Sequence, residues 1–266
     1  MDIGKLSILL PWGVLHIIRE FFIYVGDNFF PAECTSGAKL HNKTVIITGG
    51  NTGIGKETAL DLSGRGVMAC PKSKTVDGFE THFGVNHLGH FLLTNLLMDR
   101  MRASAPARIV NVSSFLYAIG KITLDDINLD RSYNRLLAYT NSKLANVLFT
   151  RELAKKLEGT GVTTYCVHPG VINTEISRHF KSGVTRFFWN IIFEKLLNKS
   201  PKQGAQATIY CAVDEEVADE SGLYYCACKP VDPLAKAKDD ECAKALWKLS
   251  EDLVASRMPS SAATPS

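Results

Sequence analysis

The stretch that most constrains this fold is a β-branched run that breaks on glycines. Lys43 to Thr48 reads Lys-Thr-Val-Ile-Ile-Thr, and Gly49, Gly50, Gly53 and Gly55 follow directly. Such a run fits a strand buried on both faces, as in a parallel sheet. The glycines permit a tight turn and let backbone N–H groups approach an anion closely. A helical pattern then runs to about Leu62, ended by Gly64 and Gly66. Its N-terminus adds a favourable dipole beside the same turn. Strand, glycine turn and helix in this order are the setting of a dinucleotide site. Gly49, Asn51, Thr52, Gly53, Ile54 and Gly55 are its candidate residues. The bland alternative is a glycine turn that binds nothing.

The rest of the chain repeats the alternation. Helical spacing runs from Phe83 to about Arg102, a strand from Arg108 to Val112, and a long helix from about Leu137 to Leu157. Val162 to Val167 is a third strand, ended by His168-Pro169-Gly170. Helical segments near Arg186–Leu197 and Pro201–Val213, a short strand at Leu223–Tyr225 and a last amphipathic helix through Ala243, Leu246, Trp247, Leu253 and Val254 complete it. Ser250 interrupts the apolar stripe of that last helix. Strands alternating with helices predict an α/β fold, a Rossmann-like doubly wound parallel sheet with helices on both faces.

Composition limits the partners. Net charge is +3, with Lys and Arg spread along the 266 residues, which excludes the basic stripe of a dedicated nucleic-acid binder. Seven cysteines are an odd number for a disulfide scaffold, so reduced thiols are expected. Cys226 and Cys228 lack the second pair a zinc site needs, and no metal is expected.

The N-terminus has its own character. Leu6 to Ile18 is uncharged but shorter than the about 20 residues of a spanning helix. Arg19 and Glu20 intervene before Phe21 to Val25. A helix starting at Pro11 gathers His16, Arg19, Glu20 and Asp27 on one stripe, the pattern of a helix lying in a membrane interface. The expected organisation is an anchor or interfacial helix over 1–39, a folded domain over 40–256 and a disordered tail over 257–266.

Chemistry gathers at four places. Tyr139 and Lys143 are four apart on a helix and share a face. A neighbouring ammonium favours phenolate, lowers the phenol's pKa and makes it a usable acid or base. Ser114 stands just past a strand end, where ligands of parallel sheets bind, with Ser113 as its rival. A hydroxyl there could bond a substrate oxygen. Asn86 opens a helical pattern, and Pro169 and Gly170 turn the chain past the next strand. Taken singly, each has a plain reading as a cap, a turn or a surface pair. His87 and His90 read as surface or core histidines. Phe180, Phe187, Phe188, Trp189 and Phe193 read as core, a lid or a membrane-facing patch.

Together these motifs resemble the short-chain dehydrogenase/reductase family, whose signature Thr-Gly-x-x-x-Gly-x-Gly is Thr48 to Gly55 here. Within it the chain resembles the membrane-associated, NADP-dependent retinol dehydrogenases. Thr48–Glu57, Asp77–Leu97, Ser104–Ser114 and Ala138–Gly170 carry the resemblance. It implies a catalytic tetrad of Asn86, Ser114, Tyr139 and Lys143. Tyr139 would exchange a proton with the alcohol or aldehyde. Lys143 would lower the phenol's pKa and hold the nicotinamide ribose. Ser114 would bind and orient the substrate, and Asn86 would hold a relay water. Tyr139, Lys143, Pro169 and Gly170 would join the glycine loop in binding the cofactor, NADP(H) rather than NAD(H). The implied substrate is a retinoid or similar lipid aldehyde or alcohol. The implied setting is the endoplasmic reticulum membrane, with the catalytic domain facing the cytosol and a homodimer as the assembly.

One departure stands out. Asn86 follows Gly55 by only 31 residues, too few for the β-α-β units that the family places between these motifs. The chain reads as a member with an internal block missing after Gly66 and the sheet truncated accordingly. The absent second strand would carry the group that reads the adenosine ribose. The alternative function is therefore a catalytically silent variant, acting as a membrane-attached binding or dimer partner.

Overall fold

The computed structural model describes residues 32–37, 44, 46, 70–170 and 199–258. The N-terminal helix, most of the strand at Lys43–Thr48, the glycine loop, the helix after it, the helix near Arg186–Leu197, the aromatic cluster around Phe187 and most of the tail lie outside the described residues.

A short turn of helix, Thr81–Phe83, leads into a π-helical stretch, Gly84–Leu88, and then into α1, Gly89–Ala103. Strand β1 is Ala107–Val112, helix α2 Arg135–Lys156 and strand β2 Val162–His168. Helix α3 is Pro201–Val213, strands β3 and β4 are Leu223–Cys226 and Lys229–Pro230, and helix α4 is Asp240–Ala255. The described strands form one sheet in the order β1-β2-β3-β4. β1, β2 and β3 run parallel, with Asn111 opposite Cys166 and Cys166 opposite Tyr224, and β4 is antiparallel.

Local chemistry fixes the helix ends. The Asn134 side-chain oxygen accepts from the N–H groups of Leu136 and Leu137, which starts α2 two residues earlier than the apolar spacing marks. Ser200 and Gln203 form a capping box behind Pro201 in α3. Asp239 caps α4, with Asp240 and Glu241 in its first turn.

Alternation along the strands sorts the core into two faces. Tyr165, Val167 and Tyr225 pack with Cys211 and Val217 on the side of α3. Cys166 and Tyr224 pack with Leu144, Leu148 and Leu246 on the side of α2 and α4. A further cluster joins Phe91 of α1, Phe149 and Leu153 of α2, and Trp247 of α4. Helices thus cover both faces of the parallel sheet, the expected layering. All seven cysteines are free thiols. Among the described residues no helix is long and apolar enough to cross a membrane.

Candidate active site

The site forms at the carboxyl end of β1, against α2. Along α2, Tyr139, Lys143, Asn146 and Thr150 make a polar stripe at helical spacing, and all four are buried. Burying so many polar groups on one helix requires partners, and β1 supplies them. Asn111 Nδ2 donates to Thr150 Oγ1 at 3.0 Å. The carbonyl oxygen of Val112 accepts from both Lys143 Nζ and Asn146 Nδ2, each at 3.1 Å.

Alternation past the strand end separates the two serines. Ser113 Oγ donates to the Lys143 carbonyl at 2.8 Å and clamps α2 to the sheet. Ser114 caps a 3-10 turn, Phe115–Ile119, through Leu116 N–H, and its hydroxyl lies close enough to the Tyr139 phenol to favour phenolate. Gly120 closes that turn against α2. A Cβ there would lie 2.5 Å from the Thr140 carbonyl oxygen, so the loop reaches its place beside Tyr139 only with glycine.

The π-helical stretch supplies the next candidate. Gly89 N–H reaches back to the Gly84 carbonyl, and the widened turn holds both Asn86 and His87 in the interior. Asn86 is therefore no N-cap. Its Nδ2 donates to Ser142 Oγ at 2.9 Å, and that hydroxyl donates to the Tyr139 carbonyl at 2.7 Å. Pro169 and Gly170 follow β2 at the same sheet end, where Ser113 N–H donates to the Val167 carbonyl at 2.7 Å. Gly170 has a φ of +89°, which glycine adopts without strain.

The structure thus brings together Asn86, Ser114, Tyr139 and Lys143, with Pro169 and Gly170 nearby. The candidate residues of the glycine loop, Gly49, Asn51, Thr52, Gly53, Ile54 and Gly55, lie outside the described residues. Sequence reasoning passed over Ser142 and Asn146, although both follow Tyr139 and Lys143 at helical spacing. It also passed over a buried group beneath Tyr139. The Glu80 carboxylate lies 2.7 Å from His82 Nδ1, and the His82 ring meets the Tyr139 ring edge-on at 6.4 Å.

Electrostatics correct one expectation. The Lys143 ammonium lies 5.7 Å from the Tyr139 ring centroid, yet the phenol's pKa is not lowered. Burial pushes it up to about 12, against the opposing pull of the Ser114 hydroxyl. Burial likewise pushes Lys143 down to about 8. Desolvation disfavours both charged forms. Tyr139 is a neutral phenol at physiological pH, poised to donate a proton.

The short chain dehydrogenase family profile matches residues 67–184. This chain belongs to the short-chain dehydrogenase family. Human retinol dehydrogenase 12 is 41% identical over 317 aligned positions, covering 94% of this chain and 99% of that protein. Those positions outnumber the 266 residues here, so the relative carries sequence that this chain lacks. Mouse retinol dehydrogenase 14 is 48% identical over 202 positions, 75% of this chain and 60% of that protein. Among solved structures, an uncharacterised protein from Mycobacterium paratuberculosis is 35% identical with a TM-score of 0.56, covering 73% of this chain and 66% of its own. With the sheet, the family makes this chain an oxidoreductase of the α/β, Rossmann-like type.

Proposed function

We propose that this chain is an NADP(H)-dependent oxidoreductase that interconverts retinol and retinal, or similar lipid alcohols and aldehydes. One observation carries the reading. Ser114 and Tyr139 come together at the carboxyl end of β1, with the Lys143 ammonium one helical turn from Tyr139. The names of the relatives supply the substrate class.

The residues present fit a nicotinamide cofactor. Lys143 spends one of three N–H donors on Val112, which leaves donors for ribose hydroxyls. Pro169 and Gly170 border the same sheet end, and Gly49 to Gly55 would hold the pyrophosphate. When bound, the cofactor supplies hydride for reduction and accepts it in oxidation. Ser114 donates a hydrogen bond to the substrate oxygen and orients the carbonyl. Tyr139 delivers its phenolic proton to that oxygen in reduction and recovers it in oxidation. Asn86 steadies the group through Ser142 and holds the relay water.

The setting follows the same reading. Residues 1–39 attach the chain to the endoplasmic reticulum membrane, the domain over 40–256 faces the cytosol, and the assembly is a homodimer. The preference for NADP(H) over NAD(H) rests on the family resemblance.

A second reading is a silent variant serving as a membrane-attached dimer partner. The sequence that retinol dehydrogenase 12 has and this chain lacks favours it. Titration calorimetry of the purified chain separates the two. The active reading expects saturable NADPH binding, tighter than NADH. No binding of either at millimolar cofactor would overturn it in favour of the silent variant.

A further inference from the structure

Two leucines at the head of α2 face water. Leu136 and Leu137 are 45% and 44% exposed, and they occupy the turn that precedes Tyr139. Leu136 stands three residues before Tyr139 and so shares its helix face. Leu137 stands four before Asn141, whose Oδ1 accepts the Lys121 N–H at 2.8 Å. With Gly120 set against the Thr140 carbonyl, the end of the Phe115–Ile119 turn runs beside the same part of α2. That end carries Ile119, itself 40% exposed. Three exposed aliphatic side chains therefore border the sheet end that holds Ser114 and Tyr139.

These side chains have a basic rim. Lys121 comes two residues after Ile119, Arg135 comes directly before Leu136, and both are exposed. Neither forms an ion pair among the described residues. Asp125 and Asp126, next along the loop, are engaged by Arg131 at 2.5 and 3.3 Å. Lys236 Nζ adds a third cation, donating to the Gly120 carbonyl at 2.7 Å. Aliphatic groups ringed by free cations match an anionic bilayer, whose acyl boundary takes the one and whose headgroups attract the other. Three side chains are far fewer than the about 20–30 residues that a stable protein interface takes from each partner, which argues against a second copy of the chain as the occupant.

We propose that Ile119, Leu136 and Leu137, rimmed by Lys121 and Arg135, are a membrane contact, separate from residues 1–39, that sets the Ser114–Tyr139 end of the sheet against an anionic bilayer. A lipid aldehyde dissolved in the bilayer then reaches Tyr139 without crossing water. That consequence rests on the function proposed above. The contact itself does not, because it is read without cofactor or substrate.

The test is photolabelling of the full chain on vesicles of phosphatidylcholine and phosphatidylserine that carry a diazirine on an acyl chain, with the labelled residues located by mass spectrometry. Label is expected at Ile119, Leu136 and Leu137. Label confined to residues 1–39 overturns the proposal, and so does label at the three positions that falls as protein concentration rises, which marks contact between copies. In the double variant Leu136→Glu, Leu137→Glu, label at Ile119 should fall by about tenfold, and undiminished label in the folded variant overturns the contact. Should that variant fail to fold, Lys121→Gln with Arg135→Gln decides. Its label on anionic vesicles should drop to the level of the unaltered chain on phosphatidylcholine alone, and an unchanged level overturns the role of the rim. Failure of this proposal and of the proposed function stay distinct. A labelled patch on a chain that binds no cofactor leaves the contact standing, and an active chain with an unlabelled patch removes the contact alone.

Discussion

The Lys143 ammonium lies 5.7 Å from the centroid of the Tyr139 ring, one helical turn away on α2, and donates to the carbonyl of Val112 at the end of β1. Helix and strand thus hold the pair jointly. Burial keeps the tyrosine protonated and weakens the lysine's charge, which sets how the site responds to substitution and pH.

Tyr139→Phe should remove the proton donor while leaving the packing in place. Turnover of retinal with NADPH should fall by about 10²- to 10⁴-fold. The loss of one buried hydroxyl contact should change stability by only about 1 kcal/mol. Steady-state rates and a thermal melt on one preparation check both.

Lys143 should leave a signature in stability against pH. Its folded pKa, about 8, lies below the ordinary 10.5. Between these values the unfolded chain binds more protons, so stability should climb as pH rises from 8 towards 10. Above 10 the raised Tyr139 value opposes the climb, because the folded state then holds the proton more tightly. Lys143→Met should flatten the climb and raise stability at pH 7 by about 3 kcal/mol. Denaturant unfolding at a series of pH values measures this.

Three histidines shape the acid side, and burial with the positive charge of Lys143 lowers His90 to about 4. Burial lowers both His87 and His168 from 6.5 to about 3, and the positive charge of Lys143 adds to the effect at His168. The unfolded chain binds more protons between pH 3 and 6.5, so stability should fall as pH drops through that window. Each histidine should contribute about 1.4 kcal/mol per pH unit there, His90 only above about pH 4. His168→Gln should remove about a third of the histidine slope between pH 4 and 6.5 in an acid unfolding series.

The two serines should separate cleanly. Ser113→Ala breaks the clamp on the Lys143 carbonyl and should lower stability by about 1 kcal/mol. Ser114→Ala removes the hydroxyl beside Tyr139 and should lower kcat by about 10²-fold or more, besides costing about 1 kcal/mol for the lost cap of the Phe115–Ile119 turn. Paired melts and kinetics of the two variants check the assignment.

Arg108 offers a stability test far from the chemistry. Its guanidinium donates to the carbonyls of Cys211 and Asp214 at the end of α3, at 3.1 and 2.8 Å. Arg108→Met should cost about 1–3 kcal/mol, read as a lower melting temperature.

The sequence made parts of this legible and left others hidden, for identifiable reasons. The Tyr139–Lys143 spacing, the position of Ser114 past a strand and the parallel sheet were readable from period and order. The choice between Ser113 and Ser114 was not, because both follow the strand and only the alternation of side chains separates them. The π-helical turn at Gly84–Leu88 was hidden because one extra residue per turn leaves no mark in a short apolar pattern. Ser250 read as a flaw in an apolar stripe, since its partner His87 is 163 residues away. The phenol's pKa was misjudged because desolvation depends on what the fold places around Tyr139.

The central claim, that Ser114, Tyr139 and Lys143 form a working hydride-transfer site, is tested most directly by following the label from deuterated NADPH into retinol. The purified full chain in detergent micelles, given all-trans-retinal, should yield retinol with one deuterium at the former carbonyl carbon, and the Tyr139→Phe variant should yield almost none. Unlabelled retinal recovered from the wild-type chain, at a cofactor concentration that saturates binding, would contradict the account.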